Sequence, residues 1–400
     1  MKLLSRQNIP SSPTRPISVL QFGTGNFLRG FADWMIDILN EKTSFNGDIQ
    51  MVQVHSKKPA QGINSQEGLY HVLTKGVSKG QTIEDSRLIQ SVRGAINPFL
   101  DYKAYLDLAK IPELRFVISN TTEAGIYFDE DDKDWATTPE SFPGKLTALL
   151  YHRFQHFDGA SEKGLVIIPC ELVEDNGKKL KENIKRYIDL WDLSGDFEDW
   201  VVKHNFFCNT LVDRIVPGYP LGSGNEIQAQ LGFKDEQMVM TEPFYFWAID
   251  GPEWLKKELP LDKAGFDVLF VKDISPYRTR KVRILNGAHT CLVPVAYLKG
   301  IRLVKDAMEN ESTSNYLQKV IFEEIIPAMD QPEENLIPFA EDVLDRFRNP
   351  FIKHKLSDIA LNSIAKWKVR VLPTLLDYIN KKDQIPTGMV QAFAAMIVFY

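Results

Sequence analysis

Three features of the sequence predict an α/β fold in which a doubly wound parallel sheet is followed by a mainly α-helical domain. Short apolar runs, each followed by a polar or glycine-bearing loop, recur at 17–22, 49–55, 114–119 and 165–170, the pattern of strands covered on both faces. Helical periodicity fills the connections between them. From Pro276 onward the spacing stays helical, through 307–309, 316–328, 340–348 and 359–364. The boundary is therefore expected near residue 275, with residues 1–274 forming the sheet domain and its insertions, and 275–400 the helical one.

The first run, Ile17-Ser18-Val19-Leu20-Gln21-Phe22, leads directly into Gly23-Thr24-Gly25-Asn26-Phe27-Leu28-Arg29. A helix is expected next, because Phe27, Phe31, Trp34, Met35, Ile38 and Leu39 form one apolar stripe with Arg29, Asp33, Asp37 and Glu41 around it. A strand, a glycine turn and a helix make a Rossmann-like pyrophosphate site: glycines let the backbone approach, and the helix start offers free amides. Gly23, Thr24, Gly25, Asn26 and Phe27 are the candidate cofactor contacts, although Leu28 stands where the common fingerprint has its third glycine. The second strand, 49–55, ends at Ser56-Lys57-Lys58 without an acid. An acid there would hold the ribose hydroxyls of NAD, and a cation would suit the extra phosphate of NADP. The choice stays open, since Lys57 and Lys58 read equally well as solvated loop charges.

Residues 68–95 alternate like hairpin strands and are expected to form an insertion, with a helix near 99–109. The strand 114–119 ends in Asn120-Thr121-Thr122-Glu123-Ala124-Gly125, a polar loop where doubly wound sheets bind ligands. Asn120 and Thr122 join the candidate cofactor contacts. A helix near 144–157 precedes the strand 165–170, and another begins near Asn176. Residues 218–235 read as a loop excursion, and the aromatic run 241–249 as core. The last residues, Met396-Ile397-Val398-Phe399-Tyr400, are apolar and uncapped, so the sequence is expected to stop before its natural domain does.

Composition narrows the function. Net charge is −6, which argues against nucleic acid as the main partner. Asn8, Pro10, Ser11 and Ser12 interrupt any secretory apolar region, and no run approaches a membrane span. Three widely spaced cysteines, Cys170, Cys208 and Cys291, fit a reducing compartment, so the cytoplasm is expected. His152 and His156 form an HxxxH pair, but Arg153 stands where a zinc protease carries Glu, and no metal is expected. The expected partner is a small molecule, with neither nucleic acid nor membrane; oligomeric state is not legible.

The chemistry concentrates in Lys281-Val282-Arg283-Ile284-Leu285-Asn286-Gly287-Ala288-His289. At about 100° per residue, Asn286 falls roughly 140° and His289 roughly 80° from Lys281, so the three share a helix face, with Arg278 in the same sector. The bland alternative is a helix with an ordinary solvated edge. A site is the more interesting reading, because a ketone receiving hydride needs a proton donor and a neutral hydrogen-bond donor at its oxygen. A lysine can serve near neutral pH when apolar neighbours or other cations lower its pKa, and Arg278, Arg280 and Arg283 are close in sequence.

With these residues assembled, the chain resembles the mannitol dehydrogenase family along most of its length. The signposts are Gly23/Gly25 with Phe27 and Arg29, Thr122-Glu123-Ala124-Gly125, Val212-Asp213-Arg214-Ile215, Thr241-Glu242-Pro243-Phe244, the Lys-x4-Asn-x2-His pattern of Lys281, Asn286 and His289, and Arg346-Phe347-Arg348-Asn349-Pro350. The resemblance implies NAD-dependent, reversible reduction of a ketone, with NADP not excluded. Within the family the likeness is strongest to members that reduce D-tagaturonate to D-altronate; fructuronate or a neutral ketose is the alternative. It implies Lys281 as general acid/base, Asn286 as oxyanion donor and His289 as a bond to a substrate hydroxyl, and it places Asp213, Arg283 and Arg346 at the substrate, with Arg346 the leading cation for a uronate carboxylate. One departure concerns the second oxyanion asparagine: Cys170-Glu171-Leu172 stands where the family often has Cys-Asp-Asn, and Leu172 cannot donate. Asn176 takes that place or simply caps its helix. Family members usually continue past the equivalent of Tyr400, which agrees with a shortened chain. A different class stays open: the complete Lys281/Asn286/His289 set argues against a silent dinucleotide-binding protein, while the abrupt end at Tyr400 keeps a truncated product in view.

Overall fold

The computed structural model describes residues 1–9, 13–122 and 124–399. They form two compact units: one of Met1–Thr74, Asp85–Thr241 and Tyr245–Ile274, the other of Lys75–Glu84, Glu242–Phe244 and the residues from Ser275 onward.

The first unit is built on six parallel strands in the spatial order Val92–Ile96, Asp48–Val52, Ile17–Phe22, Phe116–Ser119, Val166–Pro169 and Phe206–Phe207. In sequence this is the 3-2-1-4-5-6 order of a doubly wound dinucleotide-binding sheet. The α/β expectation holds, and the burial pattern explains the unbroken apolar runs. Val19, Met51, Ile118 and Ile168 point into one core with Met35, Ile36 and Leu39 of the helix Ala32–Lys42. Their neighbours Leu20, Val52, Val117 and Ile167 point into another, against Leu146 and Leu150 of the helix Phe142–His156 and Leu180 and Ile184 of the helix Asn176–Leu190. With both faces covered, neither alternating set of side chains faces solvent, and the polar residues that remain in these strands, such as Gln21 and Gln50, are buried.

Three local expectations are corrected. Only Tyr70–Ser78 and Gln81–Ile89 form the hairpin, closed by Lys79 and Gly80 at φ 51° and 71°, the twist a two-residue turn requires. Val92–Ile96 instead supplies the third strand of the sheet. The helix after the glycine turn is two pieces, Asn26–Arg29 and Ala32–Lys42, separated at Gly30 and Phe31. The expected loop 218–235 contains the helix Gly224–Leu231. The aromatic run is core as expected, with Trp247 and Ile249 buried, and its strand Phe246–Asp250 lies between Asn209–Asp213, antiparallel, and Val268–Val271, parallel.

The second unit is helical apart from its share of the hairpin. Ser275–Arg280, Lys281–Asn286 and Gly287–Leu298 follow one another without a break, and the middle segment is π-helical. Ala288, Cys291 and Leu292 pack in one core with Met389, Ala392 and Met396 of the helix Thr387–Phe399. Among the described residues no helix is long and apolar enough to cross a membrane.

Candidate active site

The glycine turn is fixed from both sides. The Gly23 amide donates to the Val52 carbonyl at 2.9 Å, and the Asn120 amide to the Phe22 carbonyl at 3.1 Å. Gly23 has φ +112°, and a Cβ on it would lie 2.7 Å from the Asn120 carbonyl oxygen, whereas one on Gly25 would meet nothing within 4 Å. Backbone conformation and close approach both demand glycine at the first position, and open space remains above the second. That cradle fits a pyrophosphate.

A buried polar array lies around the helix start. The Arg29 guanidinium donates to Asn26 Oδ1 at 2.6 Å and to the Gln237 carbonyl, with its carbon 5.4 Å from the Tyr70 ring centroid. Tyr70 donates its hydroxyl to Asp33 at 2.6 Å. Burial pushes the Asp33 carboxyl up to about 7, outweighing the Tyr70 hydrogen bond and the Arg29 charge, which act the other way.

The loop after the fourth strand is clamped by Glu171. This buried carboxylate accepts from Ser119 Oγ at 3.0 Å, the Thr121 amide at 3.0 Å and Thr121 Oγ1 at 2.9 Å. Burial raises its pKa against the pull of these donors. Asn120 Nδ2 donates to the Cys170 carbonyl at 2.7 Å. Thr122 is held at φ +102°, a strained conformation for a β-branched residue, and such residues cluster at ligand sites. Glu123 lies outside the described residues. Sequence reasoning gave Glu171 no role; its signals were an acid directly after a buried strand and its place opposite the acid of the Cys-Asp-Asn pattern.

Asn176 does not present a donor. Its side chain is fully buried; Nδ2 donates to the Pro169 and Glu171 carbonyls at 3.0 and 3.1 Å, and Oδ1 accepts from the Gly177 and Thr210 amides at 2.9 Å each. An amide has two N–H groups, and here both are directed at backbone, so Asn176 ties the strand end to Thr210 instead of facing an oxyanion. Asp213, also in the first unit, is the last residue of its strand, paired in register with Phe246 and buried.

In the second unit Lys281 and Asn286 begin and end the π-helical segment, and Gly287 starts the regular helix that carries His289. A π-helix closes its hydrogen bonds from i to i+5, so the sixth residue comes round over the first more nearly than the α-helical angle allows. His289 is buried, stacked on Phe347 with ring centroids 4.0 Å apart and edge-on to His354 at 5.1 Å. Burial first, then the charges of His354, Arg346, Arg370 and Lys366, hold its pKa well below the ordinary histidine value. Its Nε2 makes no hydrogen bond among the described residues. A neutral imidazole with an unsatisfied buried nitrogen is suited to a substrate hydroxyl.

Two expected substrate cations are already engaged. Arg283 donates to Thr374 Oγ1 at 2.7 Å and lies 3.2 Å from an Asp377 oxygen. Arg346 makes a buried two-pronged ion pair with Glu242, Nε to Oε2 at 3.0 Å and Nη2 to Oε1 at 2.9 Å, with its guanidinium carbon 4.3 Å from the Phe244 centroid. The Thr241-Glu242-Pro243-Phe244 signpost marked the partner, but its charge pairing is not readable across 104 positions. Among the described residues no group of three His, Cys, Asp or Glu side chains could hold a metal ion.

Two family models and several known proteins match the chain. Residues 17–263 match the family model for the mannitol dehydrogenase Rossmann domain and residues 273–400 that for the mannitol dehydrogenase C-terminal domain. The chain is 49% identical over 385 residues to the altronate oxidoreductase of Bacillus subtilis (strain 168), covering 96% of this chain and 80% of that protein. It is 46% identical over 400 residues to the altronate oxidoreductase of Bacteroides thetaiotaomicron, covering 100% and 83% respectively. In fold it is similar to a D-sorbitol dehydrogenase in substrate-free form, with TM-score 0.83 at 22% identity over 99% of this chain and 85% of that one. A mannitol 2-dehydrogenase of Pseudomonas fluorescens, in a ternary complex with NAD and D-mannitol, gives TM-score 0.75 at 23% identity over 100% and 84%.

Proposed function

This chain belongs to the mannitol dehydrogenase family, and on that premise we propose that it is an NAD-linked oxidoreductase that interconverts D-tagaturonate and D-altronate. The observation that carries the reading is the set Lys281, Asn286 and His289, with the first two on one π-helical segment and the third holding an unsatisfied buried nitrogen, in a chain 46–49% identical to altronate oxidoreductases.

The Gly23–Phe27 turn and the Asn120–Thr122 loop would hold the dinucleotide; the open space over Gly25, which a side chain there would enter, fits its pyrophosphate. A bound nicotinamide supplies the hydride for reduction and accepts it in oxidation. In reduction, the ammonium of Lys281 gives a proton to the ketone oxygen as charge develops there, and the Asn286 amide donates a hydrogen bond to the same oxygen. Neutral His289 Nε2 accepts from, or donates to, a neighbouring hydroxyl according to its tautomer. In the reverse direction the Lys281 amine takes the alcohol proton. Since Asn176 has no N–H to spare, this mechanism uses Asn286 alone as the amide donor.

A neutral ketose is the second reading, and the Arg346–Glu242 pair favours it, because a cation already matched by a carboxylate is a poor receptor for a uronate. Turnover of tagaturonate, fructuronate and fructose with NADH separates the readings. Selective turnover of tagaturonate supports the uronate assignment, and activity confined to fructose rejects it.

A further inference from the structure

The sheet's second strand, Asp48–Val52, is followed by His55, Ser56, Lys57 and Lys58, with no acid to receive an adenosine ribose. A carboxylate is nevertheless present. Glu140 Oε1 lies 2.7 Å from Lys57 Nζ, brought there by the segment before the helix Phe142–His156.

Buried groups hold both sides of this pair. Asn97 Nδ2 donates to the Ser56 and Lys58 carbonyls, each at 2.9 Å, and fixes the loop that carries Lys57. On the other side, Asp132 Oδ1 accepts from the Glu140 amide at 2.6 Å, and Asp132 Oδ2 from the Ser141 amide at 3.0 Å. The fully buried Lys145 ammonium donates to the Glu140 carbonyl at 2.9 Å and also to that of Pro139. The Phe99 ring lies between the lysines, its centroid 4.3 Å from Lys145 Nζ and 5.2 Å from Lys57 Nζ. An ordinary surface ion pair joins two mobile chains and contributes little. Here the backbones beneath both partners are anchored by buried side chains, while the charged ends stay half exposed or more.

We propose that Glu140 sets the preference between the two nicotinamide dinucleotides, standing in for the acid missing after the second strand and cancelling the Lys57 charge that a 2′-phosphate requires. The inference rests on the reading that the first unit binds such a dinucleotide. In Rossmann sheets an acid at this position accepts from the ribose 2′-hydroxyl, whereas a free cation accommodates the phosphate. Glu140 supplies the first and withholds the Lys57 charge from the second, so NADH is favoured over NADPH by attraction and repulsion together.

The test is calorimetric titration of NADH and NADPH into the full chain without sugar. Glu140→Gln frees Lys57, and the ratio of NADPH to NADH affinity is expected to rise by about tenfold or more, since a charge-assisted phosphate contact replaces a repulsion. Adding Lys57→Ala to Glu140→Gln returns the ratio toward wild type, and Lys57→Ala alone lowers it. An unmoved ratio in Glu140→Gln, or in Lys57→Ala alone should the first variant not fold, overturns the inference while wild-type NADH binding leaves the dinucleotide reading standing. Wild type that binds neither nucleotide rejects both.

Discussion

Lys281 and Asn286 are the first and last residues of one π-helical segment between two regular helices. The i to i+5 closure draws the ends of the segment toward a common side, so the backbone irregularity itself favours one face for the lysine and the asparagine that the proposed mechanism uses. If Asn286 stabilises the developing oxyanion, Asn286→Ala lowers kcat by about 10²–10³ with NADH affinity kept. Pre-steady-state turnover beside a binding titration checks this; equal losses in both would mean that the asparagine only supports the fold.

Gly23→Ala places a methyl 2.7 Å from the Asn120 carbonyl at φ +112°. Strain of that kind costs about 1–3 kcal/mol, and relief by moving the turn or the Asn120 loop is expected to weaken NADH binding by about tenfold or more. Gly25→Ala, where a Cβ meets no protein atom within 4 Å but enters the space left for the pyrophosphate, is expected to weaken NADH binding without the loss of stability that Gly23→Ala brings.

Asp33 predicts a pH dependence of stability. Its folded pKa, about 7, lies above the ordinary carboxylate value, so the native state retains a proton that the unfolded chain releases from about pH 4 upward. Stability from this group therefore falls as pH rises from about 4 to about 7 and is level beyond. Asp33→Asn removes the dependence, and the difference between melting temperatures at about pH 5 and about pH 8 shrinks relative to wild type. An unchanged difference contradicts the assignment.

Arg346 and Glu242 are both buried and paired. Arg346→Ala takes the buried ion-pair partner from the carboxylate and is expected to cost about 3–5 kcal/mol, whereas Glu242→Ala/Arg346→Ala costs less than the sum of the singles. A double-mutant cycle in urea measures the coupling. Additive losses would show that the pair contributes nothing, and would return Arg346 to consideration as a receptor for the substrate carboxylate.

Glu324 caps the helix Thr387–Phe399 from a distance in sequence, accepting from the Gly388 and Met389 amides at 2.6 and 2.8 Å. Loss of these charge-assisted bonds in Glu324→Ala is expected to cost about 2–3 kcal/mol, read as a lower urea midpoint. No change would mean that water replaces the carboxylate at the helix start.

The sheet was readable because its strands are covered on both faces and leave unbroken apolar runs such as 165–168, and the glycine turn because Gly23 follows its strand directly. Val92–Ile96 was not readable as a sheet strand, since it continues the alternation of the hairpin before it. Nothing in residues 281–286 distinguishes i to i+5 from i to i+4 closure, so the shared face was found with the wrong angles. Asn176 was singled out by residue type and region and Arg346 by its place in a family motif, but their partners, the backbone around Thr210 and the Glu242 carboxylate, come from distant sequence that only the fold assembles.

The central claim is that Lys281 moves the proton in a nicotinamide-linked reaction of a hexuronate. The most direct measurement follows NADH absorbance with tagaturonate for wild type and Lys281→Ala, beside an NADH titration of each. The account predicts turnover by wild type, a loss of about 10²–10⁴-fold in the variant, and NADH affinity kept in both. A variant that turns over at the wild-type rate would contradict it.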